Sequence, residues 1–140
     1  MHKIAPSDLK AVIDPHPDLT GVTVKEVVNR TSVDGCRGMF SIAEFAPGGC
    51  HQLHRHPASD QISYLMAGVG EHLTADGPIA VQTGDTVHIP RNEWHGFHNT
   101  GQEKAVLLSM YSPAAHLSEA GYETFDSSTA STQRQSEPST

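Results

Sequence analysis

Apolar, β-branched and aromatic residues in the central part of the chain occur in short runs, such as Val22 to Val28 and Ala105 to Tyr111. Turn-forming residues separate these runs at short intervals, for example Asp34-Gly35 and Asp76-Gly77-Pro78. No stretch of this central region keeps a helical period. Many short strands at close spacing are typical of an all-β sandwich or barrel. The predicted strands span residues 22–28, 39–45, 62–66, 79–81, 86–89 and 105–111.

The two ends of the chain differ from this central region. Residues 6–10 could begin a short helical turn, which Pro15 would soon stop. From Phe125 onward the chain is rich in Ser, Thr and Gln, and such a composition buries too little apolar surface to order a segment. We therefore expect a short N-terminal extension (1–20), one β domain (21–115) and a C-terminal extension (116–140), flexible and disordered from about residue 125.

Length and charge narrow the range of functions. The chain has 140 residues, enough for one domain, and its formal net charge is -7, which gives no reason to expect nucleic acid or an anionic membrane as a partner. No apolar run is long enough to span a bilayer, and the first residues lack the apolar stretch of a secretory signal. The expected location is the cytoplasm.

Histidine is unusually frequent, with 10 residues in the chain, most of them between His51 and His98. In a strand, side chains two positions apart point to the same face, so His54 and His56 would face one way together. Imidazole is the commonest metal ligand in proteins. Two such rings can share one ion when a neighbouring strand supplies a further ligand, so the spacing indicates a metal site.

Two blocks of sequence carry this pattern further. In the first block, His54 and His56 are followed by Gln61 and, after six intervening residues, by Gly68. The second block contains Gly84, Pro90, His95 and Asn99 at fixed spacing. Together the blocks resemble the paired motifs of the cupin superfamily, over roughly residues 40 to 112. Two positions depart from the usual motif: Asn92 stands where the family commonly has Gly, and Gln61 where it commonly has Glu.

The resemblance implies a fold and a cofactor. The fold would be a single cupin β-barrel of jelly-roll type, and Asn92 is a mild replacement because Asn tolerates left-handed backbone angles. The barrel would bind one divalent transition metal ion, either Mn, Fe, Zn, Ni or Cu, and a small-molecule substrate. Cupins often pair through their outer strands, so a homodimer is expected. By resemblance, the metal ligands are His54, His56, Gln61 and His95.

Glutamine in place of glutamate changes the expected chemistry, because Gln offers a neutral carbonyl oxygen and no proton shuttle. An ion held only by neutral ligands is a stronger Lewis acid, with affinity for an enolate, alkoxide or carboxylate oxygen. Acid–base chemistry must then come from other side chains. His51 and His98 are an odd number of residues from His54 and His95, so they do not share the strand parity of those ligands, and His51 is expected at the rim of the site. The catalytic candidates are His51, Tyr64, His88, His98 and Tyr111.

Three functions remain open on this basis. The leading hypothesis is an enzyme that activates a small oxygenated organic molecule in a lyase, isomerase or decarboxylase step, as in cupins acting on unsaturated uronates or cyanohydrins. The second is an Fe- or Cu-dependent dioxygenase. The third is a module that binds a metal or small ligand without turnover. The fold alone does not separate them, since the cupin scaffold hosts many activities.

Overall fold

The computed structural model describes residues 1–125, and nearly all of its regular structure is β-strand. The expected flexible tail lies outside the described residues, apart from Phe125. A single 3₁₀ turn at Pro6–Asp8 stands where a helical turn was expected. The elements are β1 (Ala11–Ile13), β2 (Leu19–Val28), β3 (Met39–Arg55), β4 (Asp60–Ala67), β5 (Val69–Thr74), β6 (Ile79–Gln82), β7 (Thr86–Ile89), β8 (His95–His98), β9 (Ala105–Ser112), α1 (Leu117–Ala120) and β10 (Glu123–Thr124). The all-β cupin prediction is confirmed.

Strand β3 is the central strand of the fold, because it belongs to both halves of the rolled sheet. Its first half pairs with β2 and β9, and its second half pairs with β8, β10 and the first residues of β2. Between the halves, Gly48 takes a φ of +77°, which Gly adopts at little cost. The buried Asn99 amide donates to the Phe45 and Ala46 carbonyls at 3.0 and 3.1 Å and so satisfies the backbone at this corner. The sheet curls here into a jelly roll.

Inward-facing side chains change character along the barrel. In β4, Gln61 lies opposite Tyr111 of β9, and two residues further on Ser63 lies opposite Ser109. The next inward position of β4 is Leu65, which belongs to the apolar core. The period of two therefore produces a polar layer, a serine layer and then an apolar layer. The other core residues include Val22, Phe45, Phe97 and Leu107.

The outer face of the sheet carries several exposed apolar side chains. Ile62, Tyr64 and Met66 of β4 lie there beside Met110 of β9, each between 40% and 57% exposed. Ile62 and Met110 are paired in register, so these side chains form one patch. The homodimer stays a prediction. Within residues 1–125, no helix is both long enough and apolar enough to cross a membrane.

The turn before β8 confirms the expectation for Asn92, which has a φ of +69° and donates its backbone N–H to the His56 carbonyl at 2.9 Å. We expect Asn92→Ala to lower the free energy of unfolding by about 1 kcal/mol, because a Cβ-bearing residue without a short polar side chain is strained at this angle. Asn92→Gly should stay close to the parent. Urea denaturation of the three proteins tests this, and equal stability of the alanine variant would contradict it.

Candidate metal centre

Three buried histidines meet at one place in the barrel. His54 and His56 come from the second half of β3, and His95 comes from the start of β8, which pairs with it. One ring nitrogen from each lies within 4.8 Å of the others, a spacing at which the three could hold a metal ion. All three side chains are at most 6% exposed. The structure thus brings together the histidines that the sequence singled out.

Hydrogen bonds to the backbone determine which nitrogen of each imidazole ring carries the hydrogen. A carbonyl oxygen can only accept a hydrogen bond, so an imidazole nitrogen facing one must carry the hydrogen. In all three histidines that nitrogen is Nδ1, which leaves Nε2 with its lone pair free for a metal ion. The carbonyls are those of Gln52 for His54 at 2.8 Å, Gly121 for His56 at 2.7 Å and Glu93 for His95 at 2.9 Å.

Gln61 completes the convergence of acceptor atoms. Its Oε1 lies 2.9 Å from His95 Nε2, while its Nε2 donates to the hydroxyls of Ser63 and Ser109 at 3.0 and 3.2 Å. His56 Nε2 is buried and has no hydrogen-bond partner. Burial lowers the pKa of His95 to about 4, so this ring is neutral at pH 7 and gains no second N–H. Buried nitrogen and oxygen lone pairs that face no hydrogen-bond donor are suited to binding a cation.

A cavity of about 270 Å³ opens beside this cluster. His51 and Tyr111, two of the predicted catalytic residues, lie in its wall. The Tyr111 ring meets the edge of His56 at a centroid distance of 5.3 Å, and burial raises the pKa of Tyr111 to about 12. The phenol therefore stays protonated at neutral pH.

His51 corrects the expectation drawn from residue spacing. An odd separation predicted a place at the rim of the site, yet the His51 ring stacks directly on His54 at a centroid distance of 3.8 Å. The pairing of β3 with β8 shifts register between these two residues, and such an irregularity re-aims a side chain. His51 consequently faces the cavity.

The other three catalytic candidates lie outside the cavity wall. Tyr64 is 40% exposed on the outer face of β4. His88 is paired in register with Ile62 of that face, and its Nε2 lies 3.4 Å from Asp60 Oδ2. His98 alternates with Phe97, which does line the cavity. Strand alternation thus points all three away from the cluster, and their catalytic role stays a prediction.

The segment at residues 116–125 approaches the histidine cluster, which the sequence did not predict. Tyr122 stacks on His54 at a centroid distance of 5.0 Å, and its hydroxyl donates to Asp18 Oδ2 at 3.0 Å. The same hydroxyl lies 2.9 Å from His51 Nε2. Burial and the Asp18 carboxylate both raise the pKa of Tyr122. The apolar and aromatic residues of this segment were its only signal in the sequence.

We expect Tyr122→Phe to reduce the free energy of unfolding by about 1–2 kcal/mol, because it removes a hydrogen bond to the part-buried Asp18 carboxylate. Tyr64→Phe is the matched control, since its ring lies on the exposed outer face and should leave stability unchanged. Urea denaturation compares the two. An equal change in the free energy of unfolding for the two variants would mean that the Tyr122 hydroxyl does not stabilise the segment at residues 116–125.

Comparisons with known proteins agree with this architecture. A family model described as "Cupin domain" matches residues 41–111. Protein SchB of Streptomyces halstedii is 30% identical over 102 residues, which cover 73% of this chain and 74% of SchB. Pectin degradation protein KdgF of Dickeya dadantii is 33% identical over 75 residues, covering 54% of this chain and 67% of KdgF. The structure of the polyketide cyclase RemF from Streptomyces resistomycificus superposes with a TM-score of 0.70 at 24% identity, over 80% of this chain and 79% of RemF. The jelly-roll sheet, the histidine cluster and the family match together show that the chain belongs to the cupin family.

Proposed function

We propose that this protein is a mononuclear divalent-metal enzyme that acts on a small oxygenated organic molecule. His54, His56 and His95 would hold the ion through Nε2, and Gln61 would add its amide oxygen. When bound, such an ion supplies a Lewis acid that stabilises negative charge on a substrate oxygen, as an enolate or alkoxide. A lyase, isomerase or decarboxylase step fits this chemistry.

The observation that carries the proposal is the set of three ring tautomers. Each Nδ1–H is committed to a backbone carbonyl, so each Nε2 presents a lone pair to the same small volume. For His56 that lone pair has no donor at all. Burying unpaired polar atoms costs free energy, and a cation shared among them offsets this cost. A structural histidine cluster would pair these atoms with one another or with hydroxyls.

The chain's own residues would prepare the site in two ways. The Tyr122 hydroxyl donates its hydrogen bond to Asp18, so its oxygen can only accept from His51. The His51 nitrogen that faces this oxygen, Nε2, therefore carries the hydrogen. This bond holds the His51 ring in place against His54. Tyr111 brings a protonated hydroxyl to the cavity wall.

The comparisons add one observation in favour of an enzyme: the name of KdgF connects that protein with pectin degradation. The dioxygenase and the non-catalytic binding module stay as alternatives. The identity of the bound metal separates them in part, because oxygen activation requires a redox-active ion such as iron or copper.

Metal analysis of the untagged protein tests the proposal first. We expect close to one divalent ion per chain, lost in His54→Ala and in His95→Ala, because each substitution removes one convergent lone pair. His88→Ala is the matched control, since this histidine is exposed on the outer face and should keep the full metal content. Zinc, manganese or nickel favours the lyase or isomerase, and iron or copper favours the dioxygenase.

A folded protein that takes up no metal under any loading condition would contradict the proposal. Metal that survives both histidine substitutions would place the ion elsewhere. Circular dichroism of each variant confirms that loss of metal does not come from loss of fold.

The role of Gln61 has its own test. We expect Gln61→Glu to raise the affinity for a divalent metal by about tenfold or more, since it places a negative charge beside the ion in a buried site. The hydroxyls of Ser63 and Ser109 accept from the Gln61 amide and can rotate to donate to a carboxylate, so the change can keep both contacts. Competition against a chromogenic chelator measures the affinity. An unchanged affinity would show that residue 61 does not approach the ion.

A further inference from the structure

One of the three hydrogen bonds that orient the histidine rings comes from a distant part of the chain. The carbonyls that face His54 and His95 each lie two residues before the ring that they hold. The carbonyl that faces His56 belongs to Gly121, 65 positions further along the chain. The orientation of His56 therefore depends on whether the segment at residues 116–125 lies in place, whereas that of the other two rings depends on the local backbone.

Gly121 holds a backbone conformation that only glycine adopts readily. Its φ of +75° and ψ of 160° lie in a region that residues with a side chain rarely enter. A Cβ at this position would come within 3.0 Å of Pro57 Cδ. Because Pro57 directly follows His56, Gly121 packs against the backbone next to the ring that its carbonyl holds. The contact between the segment and the histidine cluster thus requires a residue without a side chain.

Few regular hydrogen bonds hold the segment to the rest of the barrel. Helix α1 is a single turn, and strand β10 pairs with β3 through two residues. Glu123 forms an ion pair with Arg55, and the Phe125 ring meets Trp94 at a centroid distance of 5.1 Å. Short elements with exposed backbone bonds open at a lower free energy than the core of a fold. We therefore expect the segment to leave β3 and return to it, that is, to undock and dock, while the barrel stays folded.

A cation at the histidine cluster would strengthen the link to the docked segment. Coordination at Nε2 withdraws electrons from an imidazole, so its Nδ1–H becomes a stronger hydrogen-bond donor. For His56 the acceptor is the Gly121 carbonyl, so the gain in this bond exists only while the segment is docked. Coupling between two equilibria is reciprocal, and docking must therefore raise the affinity for the ion by the same factor.

We propose that docking of the segment at residues 116–125 and binding of the metal ion stabilise each other, and that the ion leaves mainly after the segment has undocked. This inference rests on the proposed function for the presence of the ion. It makes Gly121 a positioning residue, which acts on the ion through His56. The Tyr122 ring, which stacks on His54 at a centroid distance of 5.0 Å, covers the cluster in the docked state.

Hydrogen exchange measured by mass spectrometry tests the effect of the ion on the segment. The amides of Gly121 and Phe125 report docking, because they donate to the carbonyls of Leu117 and Leu53 at 3.0 and 3.1 Å. We expect zinc to slow exchange in this peptide by about tenfold, a coupling of ordinary size, since the bond from His56 strengthens. A peptide that covers β6 is the control and should exchange at the same rate with and without zinc.

Gly121→Ala tests the effect of the segment on the ion. We expect this variant to release zinc to a chromogenic chelator about tenfold faster than the parent, because the added Cβ costs free energy in the docked state and not in the undocked one. Gly35→Ala is the matched control. Gly35 has a similar φ of +70°, but a Cβ there meets nothing within 4 Å, so its zinc release should equal that of the parent.

Glu123→Gln provides a second test, which holds even if alanine at position 121 prevents folding. The substitution removes the charge of the ion pair with Arg55, and neither residue lines the cavity. We expect zinc release to be about two- to fivefold faster, as the loss of an exposed ion pair allows. Glu44→Gln removes the charge of the ion pair with Lys104 in the first half of β3, and it should release zinc at the parent rate.

The outcomes separate this inference from the proposed function. Exchange in the segment that does not respond to zinc would overturn the coupling and leave the metal site standing. Release at the parent rate from a folded Gly121→Ala or Glu123→Gln variant would do the same, as would equal acceleration in the matched controls. A parent protein that never retains zinc would overturn the proposed function, and the coupling with it.

Discussion

The hydrogen bonds from three imidazole Nδ1 atoms to backbone carbonyls are the constraint on which the centre depends. They fix not only where His54, His56 and His95 lie but which of their atoms remain able to bind a ligand. Because the acceptors are main-chain groups, their positions follow from the course of the backbone rather than from side-chain choice. The sheet curls at Gly48, where Asn99 satisfies the backbone carbonyls, and this course of the backbone helps to determine where the acceptors of the site lie.

Features that depend on neighbouring residues could be predicted from the sequence. The spacing of two residues places His54 and His56 on one face because a regular strand alternates sides over that distance. The left-handed angle of Asn92 follows from a turn position that normally needs Gly, and the structure confirms it. The all-β class was predictable for the same reason, since turn residues and short strands are local signals, and the jelly roll followed from the resemblance to the cupin motifs. Strand β8 was missed because it consists of four residues, two of them histidines and one glycine.

Features that depend on distant residues could not be predicted. The register shift in β3 that turns His51 towards the cavity comes from pairing with β8, and nothing near His51 in the sequence marks it. Asp18 and Tyr122 are 104 positions apart in the chain, so their contact exists only after the sheet has folded. Tyr64, His88 and His98 were plausible by residue type, but which face of a strand meets the cavity depends on how the whole sheet rolls up.

One consequence of the Gly121 carbonyl concerns the order of events during protein synthesis. This carbonyl holds the ring of His56 from 65 positions further along the chain, and Tyr122 beside it covers His54. A ribosome therefore makes the histidines of β3 long before it makes the group that orients one of them. A nascent chain that ends before this glycine lacks the carbonyl that orients His56 and the ring that covers His54. The three oriented rings are therefore complete only after residues 121 and 122 have been made and have packed against the sheet.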